Sequence, residues 1–294
     1  MRCACIDIGS NTTRVLVADV VGGHLREVLA ERAFTRLGRE LRRTGALPPD
    51  ALEAVAATVA DQLATARNAG AERIRVVATA AIRQADNGGD LCRAVRARTG
   101  VPVEVLTGET EARLAFAGAV RMHRGPLPGR IAVVDVGGGS SEVAIGTKAG
   151  GVEWSASLPV GSSSLAEGCL HSDPPCQEEL DTVLRRAAAA WAALGALPAV
   201  DHAIAVGGSA TSTARIVGPQ IDPEAVRSAL GHLCGATAER VAAEHGLDPE
   251  RVRLLPAGLH LLEAAAAQMG VPLQIGRGGL REGTCLELAL FTKP

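Results

Sequence analysis

The amino-acid sequence predicts an α/β protein made of two domains of similar construction. Predicted strands and helices alternate in both halves of the chain, which is the pattern of layered α/β domains. One glycine-turned hairpin motif occurs twice, in residues 3–17 and again in residues 131–145. The length of 294 residues is typical of two domains, and the Gly/Pro-rich residues 125–129 suit a linker between them. We therefore expect domains at 1–124 and 125–294.

The second copy of the motif reads IAVVDVGGGSSEVAI. Four apolar residues lead into Asp135, three glycines follow, and apolar residues resume after Glu142. The first copy reads CACIDIGSNTTRVLV, and placing its Asp7 on Asp135 puts Gly9 on Gly137, with apolar residues on both sides. Each copy predicts a strand, a tight glycine turn and a returning strand. A repeat of this kind indicates two similar halves.

The glycine turns have the chemistry of a phosphate-binding site. Adjacent glycines expose backbone N–H groups that no side chain covers, and such a turn can hold a phosphate. A third glycine segment, VGGSAT at 206–211, follows the apolar residues AIAV. An ordinary structural turn would explain one such hairpin, but the repetition favours a clamp made of two facing hairpins. The residues that we expect to bind phosphate are Gly9, Ser10, Asn11, Thr12, Gly137, Gly138, Gly139, Ser140, Gly207, Gly208 and Ser209.

Three carboxylates stand beside the first two turns. Carboxylate oxygens are the ligands that Mg2+ takes when it is held against a phosphate. We therefore expect Asp7, Asp135 and Glu142 to bind the metal, directly or through water.

The rest of the N-terminal half alternates between the two kinds of element. Apolar periodicity, capping residues and glycine stops predict strands at 3–8, 14–21, 24–34, 73–79 and 101–106, and helices at 50–69, 88–98 and from 107 onwards. Residues 32–43 carry five arginines and form either a solvated loop or a basic lip for an anionic substrate. We keep both interpretations of this segment.

Two charged residues follow strands of the N-terminal half. Arg83 stands in the predicted loop AAIRQADN, from which it could pair with phosphate oxygens bidentately. Glu111 stands in the first turn of a helix capped by Thr107 or Gly108, where the helix dipole favours negative charge and the carboxylate could orient a water. Spacing alone is equally compatible with a surface arginine and an ordinary first-turn carboxylate.

The C-terminal half repeats the order of elements and then becomes helical. After the hairpin we expect a strand near 151–158, an alanine-rich helix at 175–194 and a strand at 203–206. Asp222-Pro223 and Asp248-Pro249 each combine a capping residue with proline at the first helical position. The last expected helices are Pro256–Met269 and Leu280–Leu290.

Composition excludes several classes of function. Aromatic residues make up only 2% of the chain and the formal net charge is −2, so we expect no nucleic-acid partner. Asp7 interrupts the apolar start, and no apolar run reaches the ~20 residues that span a bilayer, so we expect a cytoplasmic protein without a signal or membrane segment. The seven scattered cysteines form no CxxC pair, which indicates plain thiols.

The motifs together resemble one family. The blocks IDIGSNTTRVLV, RLGREL, ATAAIRQADN, TGETEARLAF, VVDVGGGSSEVAIG, SLPVGSSSL, AVGGSAT and GLREG follow the order found in the exopolyphosphatase/guanosine pentaphosphate phosphohydrolase family. They extend from residue 4 to residue 283. The resemblance implies two ribonuclease-H-like domains of the actin-like ATPase superfamily, with the active site in the cleft between them. It also implies cleavage of terminal phosphate from inorganic polyphosphate, use of Mg2+ or Mn2+, and in some members removal of the 5′-terminal phosphate of guanosine pentaphosphate.

The resemblance also implies roles for individual residues. Glu111 takes the place of the family's catalytic glutamate, and Arg83 that of the arginine in its ATxxxR block. The acidic residues and glycine turns named above take the family's metal- and phosphate-binding places. Two residues depart from the family pattern: Thr110 replaces a glutamate, and Ala210 stands where a glycine is frequent and is expected to narrow that phosphate contact.

The resemblance leaves several functions to compare. We expect an exopolyphosphatase that forms a homodimer. The alternatives are a guanosine pentaphosphate phosphatase, a kinase or ATPase of the same superfamily, and a sensor that binds polyphosphate or an alarmone without turnover. No glycine loop continues into Gly-Lys-Ser/Thr, so a P-loop nucleotide site is not predicted.

Overall fold

The structure, a computed structural model, describes residues 1–290. It divides into two compact units. One unit combines Met1–His123 with a segment that begins at Gly278, and the other is Arg124–Arg277.

The long segment of the first unit forms a five-stranded sheet with helices on both faces. Its elements, in chain order, are β1 (Arg2–Ile8), β2 (Thr12–Val21), β3 (His24–Phe34), α1 (Leu37–Thr44), α2 (Pro49–Asn68), β4 (Arg73–Ala78), α3 (Ala80–Gln84), α4 (Gly88–Thr99), β5 (Val103–Val105) and α5 (Gly108–Met122). The strand order is β3-β2-β1-β4-β5, in which β1, β2 and β3 are antiparallel neighbours and β4 and β5 run parallel to β1.

The second unit contains a six-stranded sheet. Its elements are β6 (Arg130–Val136), β7 (Ser141–Thr147), β8 (Gly151–Leu158), α6 (Ser162–Glu167), α7 (Gln177–Ala192), β9 (His202–Val206), α8 (Gly207–Val217), β10 (Gln220–Ile221), α9 (Pro223–Cys234), α10 (Ala238–His245), α11 (Pro249–Met269) and β11 (Leu273–Ile275). The strand order is β10-β11-β9-β6-β7-β8, and the last helix of the chain, α12 (Leu280–Leu290), returns to the first unit.

The two sheets are built on one plan. In each, three antiparallel strands that follow one another in the chain are extended on the far side of the first strand by parallel strands: β1 pairs with β4 as β6 pairs with β9. The duplication expected from the two hairpins is therefore present in the topology, and the predicted α/β fold with two related sheets is confirmed.

The alternating side chains of β1 pack against helices on both faces of its sheet. Successive side chains of a strand point to opposite faces. Ala4, Ile6 and Ile8 pack with α2 and α4 in one cluster, whereas Cys3 and Cys5 pack in another with apolar residues of α5 and α12. Apart from Arg2 and Asp7 near its ends, the central strand is thus apolar, as expected for a strand buried on two sides.

The predicted second domain, 125–294, is wrong at its C-terminal end because α12 belongs to the first unit. A Cβ on Gly118 of α5 would overlap the Gly279 carbonyl, and one on Gly283 of α12 would overlap the Leu114 carbonyl. The glycines let the two backbones touch. The Glu287 carboxylate then holds α12 through ion pairs to Arg75 of β4 and to Arg113 of α5.

Several predicted elements also differ from the structure. The segment after β3 is a helix, α1, and the predicted loop AAIRQADN begins with the short helix α3. The helix expected at Pro256–Met269 starts earlier, at Pro249, and passes through buried Pro256 without ending. The third glycine segment is not a hairpin turn but the first turn of α8. The strands β10 and β11 were not predicted.

Candidate functional site

The predicted site residues of the first unit lie at one edge of its sheet. Strands β1, β4 and β5 are parallel, so their carboxyl ends meet at the same edge. Gly9 follows β1, Arg83 follows β4, and Glu111 follows β5. The Thr79 N–H donates to the Ile8 carbonyl (3.2 Å), which ties the ends of two of these strands together. This edge is where open α/β sheets generally bind ligands.

Arg83 and Glu111 form an ion pair at this edge. Arg83 Nη1 donates to Glu111 Oε2 (3.1 Å) and to the Leu106 carbonyl (2.7 Å), and the Glu111 side chain is only 10% exposed. The arginine therefore fixes the carboxylate in place. Sequence reasoning predicted both residues for the site, but it assigned Arg83 to phosphate and did not anticipate their pairing.

Thr110 takes part in the cap of α5. The Thr107 side chain accepts from the Thr110 N–H (3.1 Å), and the two hydroxyls lie 3.0 Å apart. These contacts cap α5, and the Glu111 N–H donates to the Thr107 carbonyl (2.9 Å) as the helix begins. Two threonines thus hold the first turn, which also carries Glu109 and Glu111.

Asp7 is the carboxylate at the end of β1. Its Oδ1 is buried and has no hydrogen-bond partner in the structure. Burial raises the pKa of Asp7, and the guanidinium groups of Arg281 and Arg14 offset part of that rise. Arg14 lies directly opposite Asp7 on β2, whereas Arg281 belongs to α12. An unsatisfied buried carboxylate oxygen is costly to the fold, and its presence points to a ligand rather than to packing.

The first glycine turn is held from behind by α1. The Gly9 N–H donates to the Thr12 carbonyl (3.0 Å) and closes the turn. The Ser10 carbonyl accepts from the Gly38 N–H (2.7 Å), and the Asn11 carbonyl accepts from the N–H groups that lead into α1. With these carbonyls engaged by the helix and the Gly9 N–H closing the turn, the remaining N–H groups and hydroxyls can bind an anion.

The second glycine turn has the same construction. The Gly137 N–H donates to the Ser140 carbonyl (3.0 Å), as in the first turn. The carbonyls of Gly137 and Gly138 accept from the N–H groups of Ser162 and Ser163 at the start of α6 (2.9 and 3.0 Å). The two predicted turns are therefore equivalent in hydrogen bonding as well as in sequence.

Asp135 and Glu142 stand directly opposite each other on β6 and β7. Residues opposed in an antiparallel pair point to the same face, and like charges so placed repel. Glu142 is buried (2% exposed), and its Oε1 accepts from the Ser157 hydroxyl at 2.8 Å. Two carboxylates on one face suit a divalent cation.

The third glycine segment brings the start of α8 against Asp135. Gly207 has a positive φ of 86°, and a Cβ there would overlap Asp135 Oδ1, so only glycine fits. A Cβ on Gly208 would likewise crowd the guanidinium of Arg251, which belongs to α11. A helix N-terminus with an arginine beside it is suited to phosphate. Sequence reasoning missed Arg251, because no local pattern links residues of α8 and α11.

Two residues of this segment do not act as expected. The Ser209 hydroxyl is fully buried against Gly258, so any phosphate contact there would come from the backbone N–H. Ala210 is a core residue with no exposed surface and does not narrow a phosphate contact. Both side chains help to seat α8 on the sheet.

Each unit, taken by itself, has carboxylates of the kind that bind a metal together with substrate oxygens. Among residues 1–290, no three His, Cys, Asp or Glu side chains come together as a ready-made metal site. Mg2+ is usually bound by one or two carboxylates together with substrate phosphates and water. The unsatisfied oxygen of Asp7 and the opposed carboxylates of Asp135 and Glu142 are donors of this kind.

Comparison with known proteins gives one consistent picture. The model of the Ppx/GppA phosphatase family matches residues 16–291. Exopolyphosphatase 2 of Mycobacterium tuberculosis is 31% identical over 98% of both chains, and exopolyphosphatase 1 of Mycobacterium leprae is 30% identical over 97% of this chain and 89% of that one. The crystal structure of the Aquifex aeolicus Ppx/GppA family member superposes with a TM-score of 0.83 at 27% identity, covering 99% of this chain and 98% of that one.

None of the helices within residues 1–290 combines the length and the apolar character needed to cross a membrane.

Proposed function

The chain belongs to the Ppx/GppA phosphatase family, and on that premise we propose that it is an exopolyphosphatase, which hydrolyses the terminal phosphoanhydride of inorganic polyphosphate. The full-length similarity to proteins named exopolyphosphatase supports the activity. The structure supplies residues for each requirement of phosphoryl transfer, namely anion binding, charge neutralisation and an oriented water.

The single observation that carries the mechanism is the Arg83–Glu111 ion pair. Glu111 is held at the start of α5 by Arg83, with its carboxylate at the sheet edge that carries Gly9. In the proposed step a water oxygen forms a bond to the terminal phosphorus, and the bond to the bridging oxygen breaks with its electron pair going to the departing chain. Glu111 orients the water and accepts its proton. The products are orthophosphate and a chain shorter by one phosphate.

The glycine segments bind the phosphates in this proposal. The N–H groups of the turns at Gly9–Thr12 and Gly137–Ser140, and of the first turn of α8, donate to phosphate oxygens. Arg251 adds a guanidinium beside Gly208. Preorganised donors of this type stabilise charge without reorganising during the reaction.

Asp7, Asp135 and Glu142 would hold Mg2+ or Mn2+ in this proposal. The cation would neutralise phosphate charge and polarise the phosphoryl oxygens. The charges of Arg14 and Arg281 favour the ionised form of Asp7 against the effect of burial, and the Ser157 hydroxyl orients Glu142. We further propose that the protein acts as a cytoplasmic homodimer, which light scattering of the purified chain would test.

The decisive experiment is phosphate release from polyphosphate, guanosine pentaphosphate and ATP, each with Mg2+ and with Mn2+. The proposal requires turnover of polyphosphate to exceed that of both nucleotides. Preferred hydrolysis of guanosine pentaphosphate would replace it with a role in alarmone metabolism. Binding of polyphosphate without any release of phosphate would identify a sensor instead.

A further inference from the structure

We propose that the exposed arginine face of α1 binds the distal phosphates of the polyphosphate chain whose end is hydrolysed. We define this face by Arg36, Arg39, Arg42 and Arg43. The inference rests on the proposed function, because it extends the same site along its substrate. It predicts that α1 strengthens the binding of long chains over short ones.

The first support is the direct attachment of α1 to the first glycine turn. The Gly38 N–H donates to the Ser10 carbonyl (2.7 Å), and the N–H groups of Thr35 and Arg36 both donate to the Asn11 carbonyl (3.0 Å each). Gly38 has no side chain, which lets the Ser10 side chain lie against the helix. The arginine face therefore begins next to the residues proposed to hold the terminal phosphates.

The second support is the amphipathic build of α1. Leu37 and Leu41 are buried in the core of the first unit, and the arginines are exposed. Arg39 and Arg43 are four residues apart and so share one side of the helix, and Arg36 immediately precedes its first turn. At a rise of about 1.5 Å per residue Arg39 and Arg43 lie about 6 Å apart along the helix, a spacing that suits neighbouring phosphates of one chain.

The third support is the local charge. Residues 32–43 contain five arginines and one acid, Glu40, although the whole chain has a net charge of −2. Arg43 pairs with Glu40 at 2.7 Å, but both side chains are exposed, and such pairs are weak and readily exchanged for a stronger anion. The basic character is thus concentrated beside the glycine turn.

The fourth support is the backbone at Arg36. Within residues 1–290, Arg36 is the one non-glycine residue with a positive φ, at 50°. Such a conformation costs about 1–2 kcal/mol and persists only where the surrounding contacts impose it. Here the hydrogen bond to Asn11 imposes it and sets the direction in which α1 leaves the turn.

A polyphosphate chain fits this surface better than a nucleic acid. The guanidiniums of Arg32 and Arg36 lie over the Phe34 ring, 4.9 and 5.9 Å from its centre, so the one aromatic ring of residues 32–43 already stacks with cations. A row of cations without stacking platforms matches a polymer that consists of phosphates alone.

The test compares the double variant Arg39→Gln/Arg43→Gln with the control Arg185→Gln/Arg227→Gln, which removes the same charge from exposed positions on α7 and α9. Neither pair belongs to the residues proposed for the reaction. For long polyphosphate we expect KM to rise about tenfold in the α1 variant while kcat stays within twofold. For tripolyphosphate, whose three phosphates would occupy the glycine turns and the catalytic end of the site, both constants should stay within twofold. The slope of log KM against log salt should also fall by about 1 for long chains.

Three results would overturn the inference. They are an equal rise in KM in the control variant, an equal rise for tripolyphosphate, and displacement of long polyphosphate by single-stranded RNA at equal phosphate concentration. Hydrolysis of tripolyphosphate by the unaltered protein tests the proposed function separately. If that hydrolysis is absent, titration calorimetry of long polyphosphate with the same variants decides the role of α1 by itself.

Discussion

The substitution Asp7→Asn tests whether the Asp7 carboxylate serves function rather than stability. Asp7 Oδ1 is buried without a hydrogen bond, and burial raises the pKa of the group. The fold therefore has to accommodate a charge that it disfavours. We expect Asp7→Asn to raise the stability of the folded protein at neutral pH and to lower its turnover of polyphosphate.

The magnitude follows from the buried charge. A buried polar group without a partner costs about 1–3 kcal/mol and more when it is charged, so the neutral amide recovers part of that cost, and the loss of attraction to Arg14 and Arg281 cancels some of the gain. We therefore expect a net stabilisation of about 1 kcal/mol, equivalent to a rise in Tm of about 2–4 °C. Activity should fall about 10- to 100-fold, because a donor to the metal is weakened.

The pH dependence has a definite sign. The pKa of Asp7 is raised in the folded state, so the unfolded carboxyl ionises at lower pH than the folded one. The free energy of unfolding therefore falls as pH rises from the pKa of the unfolded carboxyl to the pKa of the folded one, and it stays lower at neutral pH. The advantage of Asp7→Asn should therefore be full at pH 7 and vanish when pH falls below the range in which unfolded aspartate titrates.

The measurement is Tm by calorimetry between pH 3 and 8, with Asp19→Asn as the matched control on β2 of the same sheet. Hydrogen bonds from Arg2 and Arg26 hold the pKa of Asp19 well below its usual range, so its substitution should lower Tm at neutral pH. A fall in Tm for Asp7→Asn as well would refute the reasoning from burial. Unchanged turnover would refute the assignment of Asp7 to the metal.

Three further outcomes follow from the site. Gly195→Ala should destabilise the fold by the ~1–2 kcal/mol that a positive φ costs by itself. Gly207→Ala should destabilise it by more, because the added methyl group also displaces Asp135. Equal losses of unfolding free energy in urea titrations would contradict this contact. Arg83→Lys should lower kcat about 10- to 100-fold with little change in Tm, because an ammonium cannot reproduce the hold on Glu111; kcat within twofold would show that the pairing is dispensable. Removal of divalent metal with EDTA should abolish phosphate release and excess Mg2+ should restore it, and turnover that persists in EDTA would exclude the proposed cofactor.

Local signals were sufficient for the parts of the site that lie within one hairpin. Glycine turns between apolar strands fix both backbone geometry and pairing, so the turns at Gly9 and Gly137 form as predicted with the same hydrogen bond. The position of Glu111 was predicted from a capping residue and a helical pattern, which are also local signals.

Contacts between distant segments could not be read from the sequence. Arg251 and Gly208 are brought together by the packing of α11 on α8, and Arg281 reaches Asp7 only because α12 joins the first unit. Pro256 was expected to start a helix. It instead lies buried in the middle of α11, where packing outweighs the loss of the backbone hydrogen bond that proline cannot donate.

The arginine-rich segment shows another limit. With only Leu37 and Leu41 to mark an apolar face, α1 is too short and too charged for periodicity to identify it. Its hydrogen bonds to Ser10 and Asn11 select the helix over the solvated loop.

The role of Glu111 as the residue that activates water is the central claim, and the most direct test is kcat on polyphosphate for Glu111→Gln. The matched control is Glu109→Gln, an exposed carboxylate in the same first turn of α5. We predict a fall in kcat of about 10²- to 10⁴-fold for Glu111→Gln and a change within twofold for Glu109→Gln. Release of phosphate by Glu111→Gln at the rate of the unaltered protein would contradict the account.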